Sequence, residues 1–279
     1  MKKENILKTI AASLGFFIVL LVSQALVPLA YQGYCYFAYS EMRTTNYDAF
    51  ARQVSTLMQD NSSTMNVLSL ALFLVIIFMI FKIKRMSLLT RIRWNPVSKQ
   101  IYVFAAVFAI FNLIAFNLLS DVLFPQSWVQ GAEEYATAVS GDIFYTIMFI
   151  VIFTPLVEEI LMRGLITTRL LKRLPLWFAV AFPAILFGLG HGAGGMGQII
   201  GTTVLGLLFA LVFIWTNSLR TAVLAHMLNN LLAAYLPWSA INEAMGMPVQ
   251  LTLGIIALAI SVFFGYMIYK KWDRESLED

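Results

Sequence analysis

Two adjacent carboxylates lie within an apolar stretch of this sequence. Glu158 and Glu159 follow the apolar run 143–157, and Arg163 comes four residues after Glu159. Ionisable side chains at membrane depth cost about 2.5–3.5 kcal/mol each on insertion scales, so chains carry them mainly for function or tight pairing. Neighbouring helical positions point about 100° apart, whereas positions i and i+4 share a face. The spacing therefore predicts a supporting Glu159–Arg163 ion pair and leaves Glu158 as the chemical group.

The two histidines of the sequence both fall in apolar stretches. His191 follows Phe187 by one helical turn, and His226 precedes Asn230 by one turn, on the same helical face. A single intramembrane histidine is often only a packing group. Here every histidine of the chain is intramembrane and accompanies a carboxylate pair, which favours a functional site.

These side chains fit the hydrolysis of a peptide bond without a covalent intermediate. Glu158 could act as a general base that removes a proton from water as the water attacks a carbonyl. A histidine could orient that water or protonate the leaving amine. His226 and Asn230 could donate hydrogen bonds to the developing oxyanion. A cysteine nucleophile is disfavoured, because Cys35 lies at the predicted outer end of the first span with no histidine near it.

The same side chains could instead hold a metal. Glu158, His191 and His226 resemble catalytic zinc ligation, with water in the fourth position. The local HExxH signature is absent, so the three ligands would come from three separate helices. We place metal-free, glutamate-activated water ahead of zinc, and in that interpretation no cofactor is required.

The composition defines the scaffold that must position these groups. Of the 279 residues, 60% are hydrophobic and 12% are charged, with a mean hydropathy of +0.79, whereas soluble domains are typically about 25% charged. We predict an all-α, polytopic integral membrane protein, a single domain over residues 1–279, with helices around a polar intramembrane cavity. Glycines between residues 188 and 206 predict close helix packing or a helix break near His191. Eight candidate spans are near the required length: 9–30, 64–82, 101–124, 142–168, 176–193, 197–216, 220–237 and 249–269.

The distribution of basic residues predicts the orientation. With both termini in the cytoplasm, sixteen Lys and Arg residues fall on the inner side, and only Arg43 and Arg52 fall outside. This asymmetry follows the positive-inside rule, so the net charge of +4 does not indicate nucleic-acid binding. The apolar run 10–29 is longer than a signal-peptide core, which favours an uncleaved first span. In a bacterium the protein would lie in the plasma membrane.

Three short motifs in order carry a resemblance to a known family: Glu158-Glu159-xxx-Arg163, Phe187-xxx-His191 and His226-xxx-Asn230. Together they resemble the CPBP intramembrane proteases, which include type II CAAX prenyl endopeptidases and bacterial bacteriocin-processing or self-immunity proteins. The resemblance predicts a catalytic core over residues 142–236.

The resemblance implies a role for each motif. Glu158 would activate the water, with Glu159 and Arg163 in support. His191 would contribute to the water or metal site. The third motif, with His226 and the asparagine one turn later, would form the oxyanion site.

These observations predict an endopeptidase that cuts a membrane-tethered peptide or protein, of prenylated CAAX type or otherwise, from the cytoplasmic side of the bilayer. The alternative is a non-catalytic bacteriocin-immunity or peptide-binding membrane protein that uses the same cavity. Buried Glu, His and Arg also build the proton relays of transporters, but the sequence contains no repeated halves of the kind that transporter folds often have.

Overall fold

The computed structural model describes residues 3–124 and 143–272, and the regular structure within these two ranges is entirely helical. The all-α prediction is therefore confirmed for the described part of the chain. The predicted outer connection, with Glu133 and Glu134, and most of the charged C-terminal tail lie outside the described residues.

The helices of the described residues range from 4 to 36 residues in length. In chain order they are α1 (Lys3–Ala38), α2 (Ser40–Thr45), α3 (Tyr47–Asp60), α4 (Ser62–Ile83), α5 (Leu88–Arg91), α6 (Lys99–Leu123), α7 (Ile143–Leu171), α8 (Leu176–Gly190), α9 (Gly195–Thr216), α10 (Leu219–Tyr235), α11 (Trp238–Ala244) and α12 (Met247–Tyr269). The predicted turn at Arg173-Leu174-Pro175 separates α7 from α8.

Six helical segments among the described residues are long and apolar enough to cross a membrane: Ile6–Ala38, Ser62–Ile83, Lys99–Ser120, Ile143–Leu171, Gly192–Thr216 and Met247–Tyr269. The chain is thus an integral membrane protein. The predicted count of eight spans is not confirmed, because α8 has 15 residues and α10 has 17. At 1.5 Å per residue such helices measure about 22–26 Å, less than the hydrocarbon core of about 30 Å.

The chain divides into two compact units, residues 14–88 and residues 1–13 with 89–279. In the first unit, Cys35 is buried against Phe50 and Val54 in a small apolar cluster. The cysteine is therefore a packing residue of that unit, consistent with its exclusion as a nucleophile.

The second unit contains all the predicted site residues. Helix α12 packs along α6, and glycine makes this approach possible: a Cβ atom on Gly254 would lie 2.7 Å from Cδ2 of Leu119. A buried cluster of Ala105, Phe108 and Val212 ties α6 to α9 in the same unit.

Helices α8 and α9 approach closely, as the glycines predicted. A Cβ on Gly188 would lie 2.6 Å from the carbonyl oxygen of Ile199, and one on Gly206 would lie 3.1 Å from Cα of Ala184. The predicted helix break is also present. Helix α8 ends just before His191, and a single 3₁₀ turn, Gly192–Gly194, leads into α9.

Candidate active site

Helix α7 carries the carboxylate pair on one α-helical turn between two wider, π-helical stretches. The α-helical turn is Thr154–Glu159, and the π-helical stretches are Thr146–Phe153 and Ile160–Thr167. Such π-helical insertions are rare and occur frequently at functional sites. The sequence analysis assumed a rotation of about 100° per residue throughout this helix. The structure corrects that assumption on either side of the glutamates, where the helix is π-helical.

Proline accounts for one irregularity. The N–H of Thr154 donates to the carbonyl of Phe149, five residues back. The next donor in this register would be residue 155, but Pro155 has no N–H. The carbonyl of Ile150 is therefore left without its helical partner.

Asn230 of α10 supplies that partner. Its Nδ2 atom donates to the carbonyl oxygen of Ile150 at 3.0 Å. Its Oδ1 atom accepts from Nδ2 of Asn229 at 3.3 Å. The predicted site residue Asn230 thus contacts α7 two turns before the glutamates. One of its two amide hydrogens is engaged there, and its predicted oxyanion role stays a prediction.

The π-helical stretch after the glutamates is buried along its whole length, Ile160–Thr167. Thr167 Oγ1 donates to the carbonyl of Met162, and Thr168 Oγ1 donates to the carbonyl of Arg163, each at 2.8 Å and each five residues back. The carbonyl of Arg163 also accepts the backbone N–H of Thr168, so the threonine hydroxyl adds a second donor there. Gly164 faces Ile92 here, and a Cβ on the glycine would lie 2.8 Å from Cβ of Ile92.

Glu159 and Arg163 form the ion pair that their spacing predicted. Nη1 of Arg163 donates to Oε1 of Glu159 at 2.8 Å, with the two side chains 1% and 0% exposed. The second guanidinium nitrogen, Nη2, donates to the carbonyl of Gly206 on α9. A buried charge pair is costly unless its partners satisfy it, and here the arginine joins α7 to α9 as it neutralises the glutamate.

Glu159 has a second partner that the sequence did not predict. Its Oε1 atom lies 2.9 Å from Nδ1 of His226, which is 67 residues further along the chain. No local spacing connects positions so far apart. The only signal in the sequence was that the buried pair Glu159–Arg163 had to face another helix with polar side chains.

Glu158 faces both imidazoles, as predicted. Its Oε1 lies 3.8 Å from Nε2 of His191, and its Oε2 lies 3.7 Å from Nε2 of His226. Glu158 is 16% exposed and His191 is 24% exposed, whereas His226 is almost fully buried. Glu158 is therefore the more accessible of the two adjacent carboxylates.

Hydrogen bonds at the Nδ1 atoms determine which nitrogen of each imidazole faces Glu158. Nδ1 of His191 lies 2.8 Å from the carbonyl oxygen of Phe187. A carbonyl only accepts, so Nδ1 carries the proton and Nε2 faces Glu158. In the same way His226 donates from Nδ1 to the Glu159 carboxylate and presents Nε2 to Glu158.

Two phenylalanines confine the rings. Phe187 contacts both histidines edge-on, at centroid distances of 4.6 Å to His191 and 5.7 Å to His226. Phe209 of α9 stacks on His226 at 4.5 Å. The sequence identified Phe187 by its spacing, but Phe209 was missed because aromatic residues are common throughout a membrane protein.

The donor set of the zinc alternative is present at this site. Glu158 and the Nε2 atoms of His191 and His226 face one another, and each Nδ1 is engaged as ligating histidines require. Nevertheless, among the described residues no group of three or more His, Cys, Asp or Glu side chains is arranged to hold a metal ion.

The described residues thus combine six apolar membrane-length helices with a carboxylate–imidazole site on α7, on α10 and directly after α8. Residues 140–232 match the family described as type II CAAX prenyl endopeptidase Rce1-like. The match confirms the resemblance of this segment to the CPBP proteases. The match covers one third of the chain and includes every predicted site residue. No curated protein and no solved structure matches the chain.

Proposed function

We propose that the protein is an intramembrane endopeptidase that hydrolyses a peptide bond of a membrane-associated substrate with a water molecule activated by Glu158. The observation that supports this most directly is the gap between Glu158 and the two imidazoles. Oxygen–nitrogen separations of 3.8 and 3.7 Å are too long for hydrogen bonds but suit a water that bridges the groups.

In the first step, Glu158 takes a proton from the bridging water while the water oxygen attacks the carbonyl carbon of the scissile bond. Nε2 of His191 accepts the second hydrogen of the water in a hydrogen bond and thereby orients it. Because Nδ1 of His191 donates its hydrogen to the Phe187 carbonyl, Nε2 carries no hydrogen and can accept. The protonated Glu158 then passes its proton to the leaving nitrogen as the carbon–nitrogen bond breaks.

His226 supplies the positive charge for the oxyanion in this proposal. Glu158 and Glu159 both face His226, and Arg163 pairs with Glu159. A doubly protonated His226 therefore brings these four side chains to a net charge of zero. Nδ1–H then stays on Glu159 and Nε2–H is offered to the substrate oxygen. Preorganised donors of this kind contribute several kcal/mol to transition-state stabilisation.

Asn230 has two roles in this proposal, one toward helix α7 and one toward the substrate. One of its amide hydrogens holds the Ile150 carbonyl, and an amide group has a second hydrogen to donate. We propose that the second hydrogen completes the oxyanion site with His226 when substrate enters.

The proposed setting is a polar cavity that opens toward the cytoplasmic side of the bilayer. It requires α8 and α10 to cross the membrane together with the six longer segments, for eight spans in all. His191 directly follows one of these short helices and His226 lies on the other, so a locally thin hydrocarbon layer would lie at the active site. The charge asymmetry of the connections supports cytoplasmic termini.

Reconstituted protein tests the proposal. Purified protein in liposomes is given fluorogenic lipidated peptides, prenylated and unprenylated, and the new peptide ends are identified by mass spectrometry. Glu158→Gln removes the general base with little change in volume, and we expect a loss of about 10²- to 10⁴-fold in kcat. Glu243→Gln on α11 is the matched control, since Glu243 is exposed and is not one of the site residues.

Three outcomes separate the alternatives. Undiminished cleavage by Glu158→Gln would overturn the mechanism. Loss of cleavage by wild-type protein after treatment with a chelator, restored by zinc, would establish metal-dependent water in place of the metal-free reaction. Retention of full cellular activity by both Glu158→Ala and His226→Ala would indicate a binding or immunity role.

A further inference from the structure

A strap of residues 92–98, which connects α5 to α6, is anchored to the turn between α9 and α10. The N–H of Leu219 donates to the carbonyl of Arg93 at 2.9 Å. Nη1 of Arg93 donates to Oδ1 of Asn217 at 2.7 Å, and Nδ2 of Asn95 donates to the Asn217 carbonyl at 2.9 Å. Asn217 has a left-handed backbone with φ of 47°. The strap is thus a defined part of the unit that holds the active site.

The strap also packs against the catalytic helix. Ile92 is only 2% exposed, and its side chain lies where Gly164 has no Cβ. Gly164 follows Arg163, whose guanidinium holds Glu159. The position of the strap is therefore connected to the ion pair through two residues in contact.

This packing brings together basic residues from distant parts of the sequence. Arg91 lowers the pKa of Lys172 below its ordinary value, and partial burial acts in the same direction. Smaller contributions of the same sign come from three arginines: Arg93, Arg169 and Arg173. Burial also lowers the pKa of Arg91, and the charge of Arg169 adds to that effect. The positive charges of these residues thus repel one another.

No carboxylate in the described parts of the chain pairs with four of these cations. We call them the basic cluster: Arg91, Arg169, Lys172 and Arg173. The ion pairs of the described residues that involve Glu158 and Glu159 are all within the active site. Arg93 is set apart from the cluster because it is bonded to Asn217. In addition, Nε of Arg169 is buried with no hydrogen-bond acceptor among the described residues.

We propose that the basic cluster binds the phosphate of an anionic phospholipid headgroup. The cluster lies at the end of the candidate span Ile143–Leu171, where the headgroup layer of the bilayer begins. Basic pockets beside transmembrane helices recognise such headgroups by electrostatic attraction to the phosphate. Guanidinium groups bind phosphate through two parallel hydrogen bonds. A bound phosphate would offset the repulsion that the cluster shows by itself.

Headgroup binding is expected to affect the helix of the active site, and this expectation does not depend on the proposed catalytic mechanism. A headgroup held between Arg91 on one segment and Lys172 on the other joins the α5–strap region to the end of α7. It would stabilise the contact of Ile92 with Gly164 and thereby the buried stretch of α7 that follows Glu159.

Full-length protein in a neutral detergent tests this with short-chain phosphatidylglycerol, phosphatidylcholine of the same chain length and inorganic phosphate. The unfolding midpoint is measured as each probe is added. We expect phosphatidylglycerol to raise the midpoint by about 3–8 °C at saturation, and the other two to leave it within about 1 °C. Titration of the midpoint gives an apparent Kd.

The matched variants carry three neutralised charges each. Arg91→Gln, Lys172→Gln and Arg173→Gln together are expected to weaken the apparent Kd at least about tenfold, since three surface charges are removed. The control combines Lys82→Gln, Lys84→Gln and Lys270→Gln, all at exposed positions outside the cluster, and is expected to bind as wild type does. Phosphatidylglycerol is also expected to raise the pKa of Lys172, measured by NMR of the methylated lysine.

Each remaining outcome overturns the assignment. An equal midpoint shift in both triple variants means that the lipid binds elsewhere. An equal shift with inorganic phosphate means that a free anion, not a headgroup, is the ligand. The full-length chain is required because its tail contains four further carboxylates, Asp273, Glu275, Glu278 and Asp279. If the full-length protein gives no shift with phosphatidylglycerol, the lipid site does not exist in the intact protein.

Discussion

The Nδ1 atom of His226 lies 2.9 Å from Oε1 of Glu159, and this contact determines which ring nitrogen faces the neighbouring carboxylate. Nε2 is thereby presented to Glu158 at 3.7 Å. Two glutamates that are adjacent in the sequence thus have different functions in the proposed mechanism. One positions the histidine and the other, with the two imidazoles, surrounds the place for water.

The pairing of Glu159 with His226 predicts strong coupling between them. Glu159→Gln and His226→Gln are each expected to lower kcat, and the double variant to lower it little further, because both changes disable the same imidazole. A coupling energy of about 0.5–3 kcal/mol is expected for groups in contact. The measurement is a double-mutant cycle on kcat in liposomes, with Glu243→Gln combined with each variant as the additive control. Additive losses for Glu159 and His226 would contradict the role of this contact.

Arg163 is predicted to be essential for folding stability. Arg163→Met leaves the fully buried Glu159 without its guanidinium partner, and removal of one member of a buried pair costs about 3–5 kcal/mol. The measurement is the free energy of unfolding in detergent. Arg173→Met, at an exposed position, is expected to change it by no more than about 0.5 kcal/mol. Equal free energies of unfolding for the two variants would contradict the burial of the Glu159–Arg163 pair.

The bond between Asn230 and Ile150 predicts that one substitution suppresses another. Asn230→Leu leaves the Ile150 carbonyl unpaired, at an expected cost of about 1–3 kcal/mol. Pro155→Ala restores a backbone N–H that can bond this carbonyl. We therefore expect Asn230→Leu to cost less in a Pro155→Ala background than in the wild type. Equal losses in both backgrounds, measured as free energies of unfolding, would show that the proline does not create the need for Asn230.

The contact of Gly164 with Ile92 predicts a steric limit at the glycine. A Cβ at residue 164 would lie 2.8 Å from Cβ of Ile92, which has no flexible end that could move away. Gly164→Ala is expected to destabilise the protein by about 1–3 kcal/mol. Gly190→Ala is the control, because no atom lies within 4 Å of the added group. A Gly164→Ala protein as stable as the control would mean that the strap is not held against α7.

The sequence alone was sufficient for the features that depend on local spacing and on composition. Glu159 and Arg163 are four residues apart on one helix, and they form the predicted ion pair. Hydropathy indicated the all-helical membrane class, and the three motifs indicated the family whose model matches residues 140–232. These properties follow from the helical repeat and from the cost of polar groups in an apolar medium, both of which are visible along the chain.

Tertiary structure decided the contacts between helices and the irregular geometry of α7. The partners of Glu159 and of Asn230 lie 67 and 80 residues away in the sequence, and periodicity gives no information about such pairs. The π-helical stretches and the short lengths of α8 and α10 were not visible either. They depend on which carbonyls find donors on neighbouring helices, because a backbone group in an apolar interior adopts the geometry in which it is hydrogen-bonded.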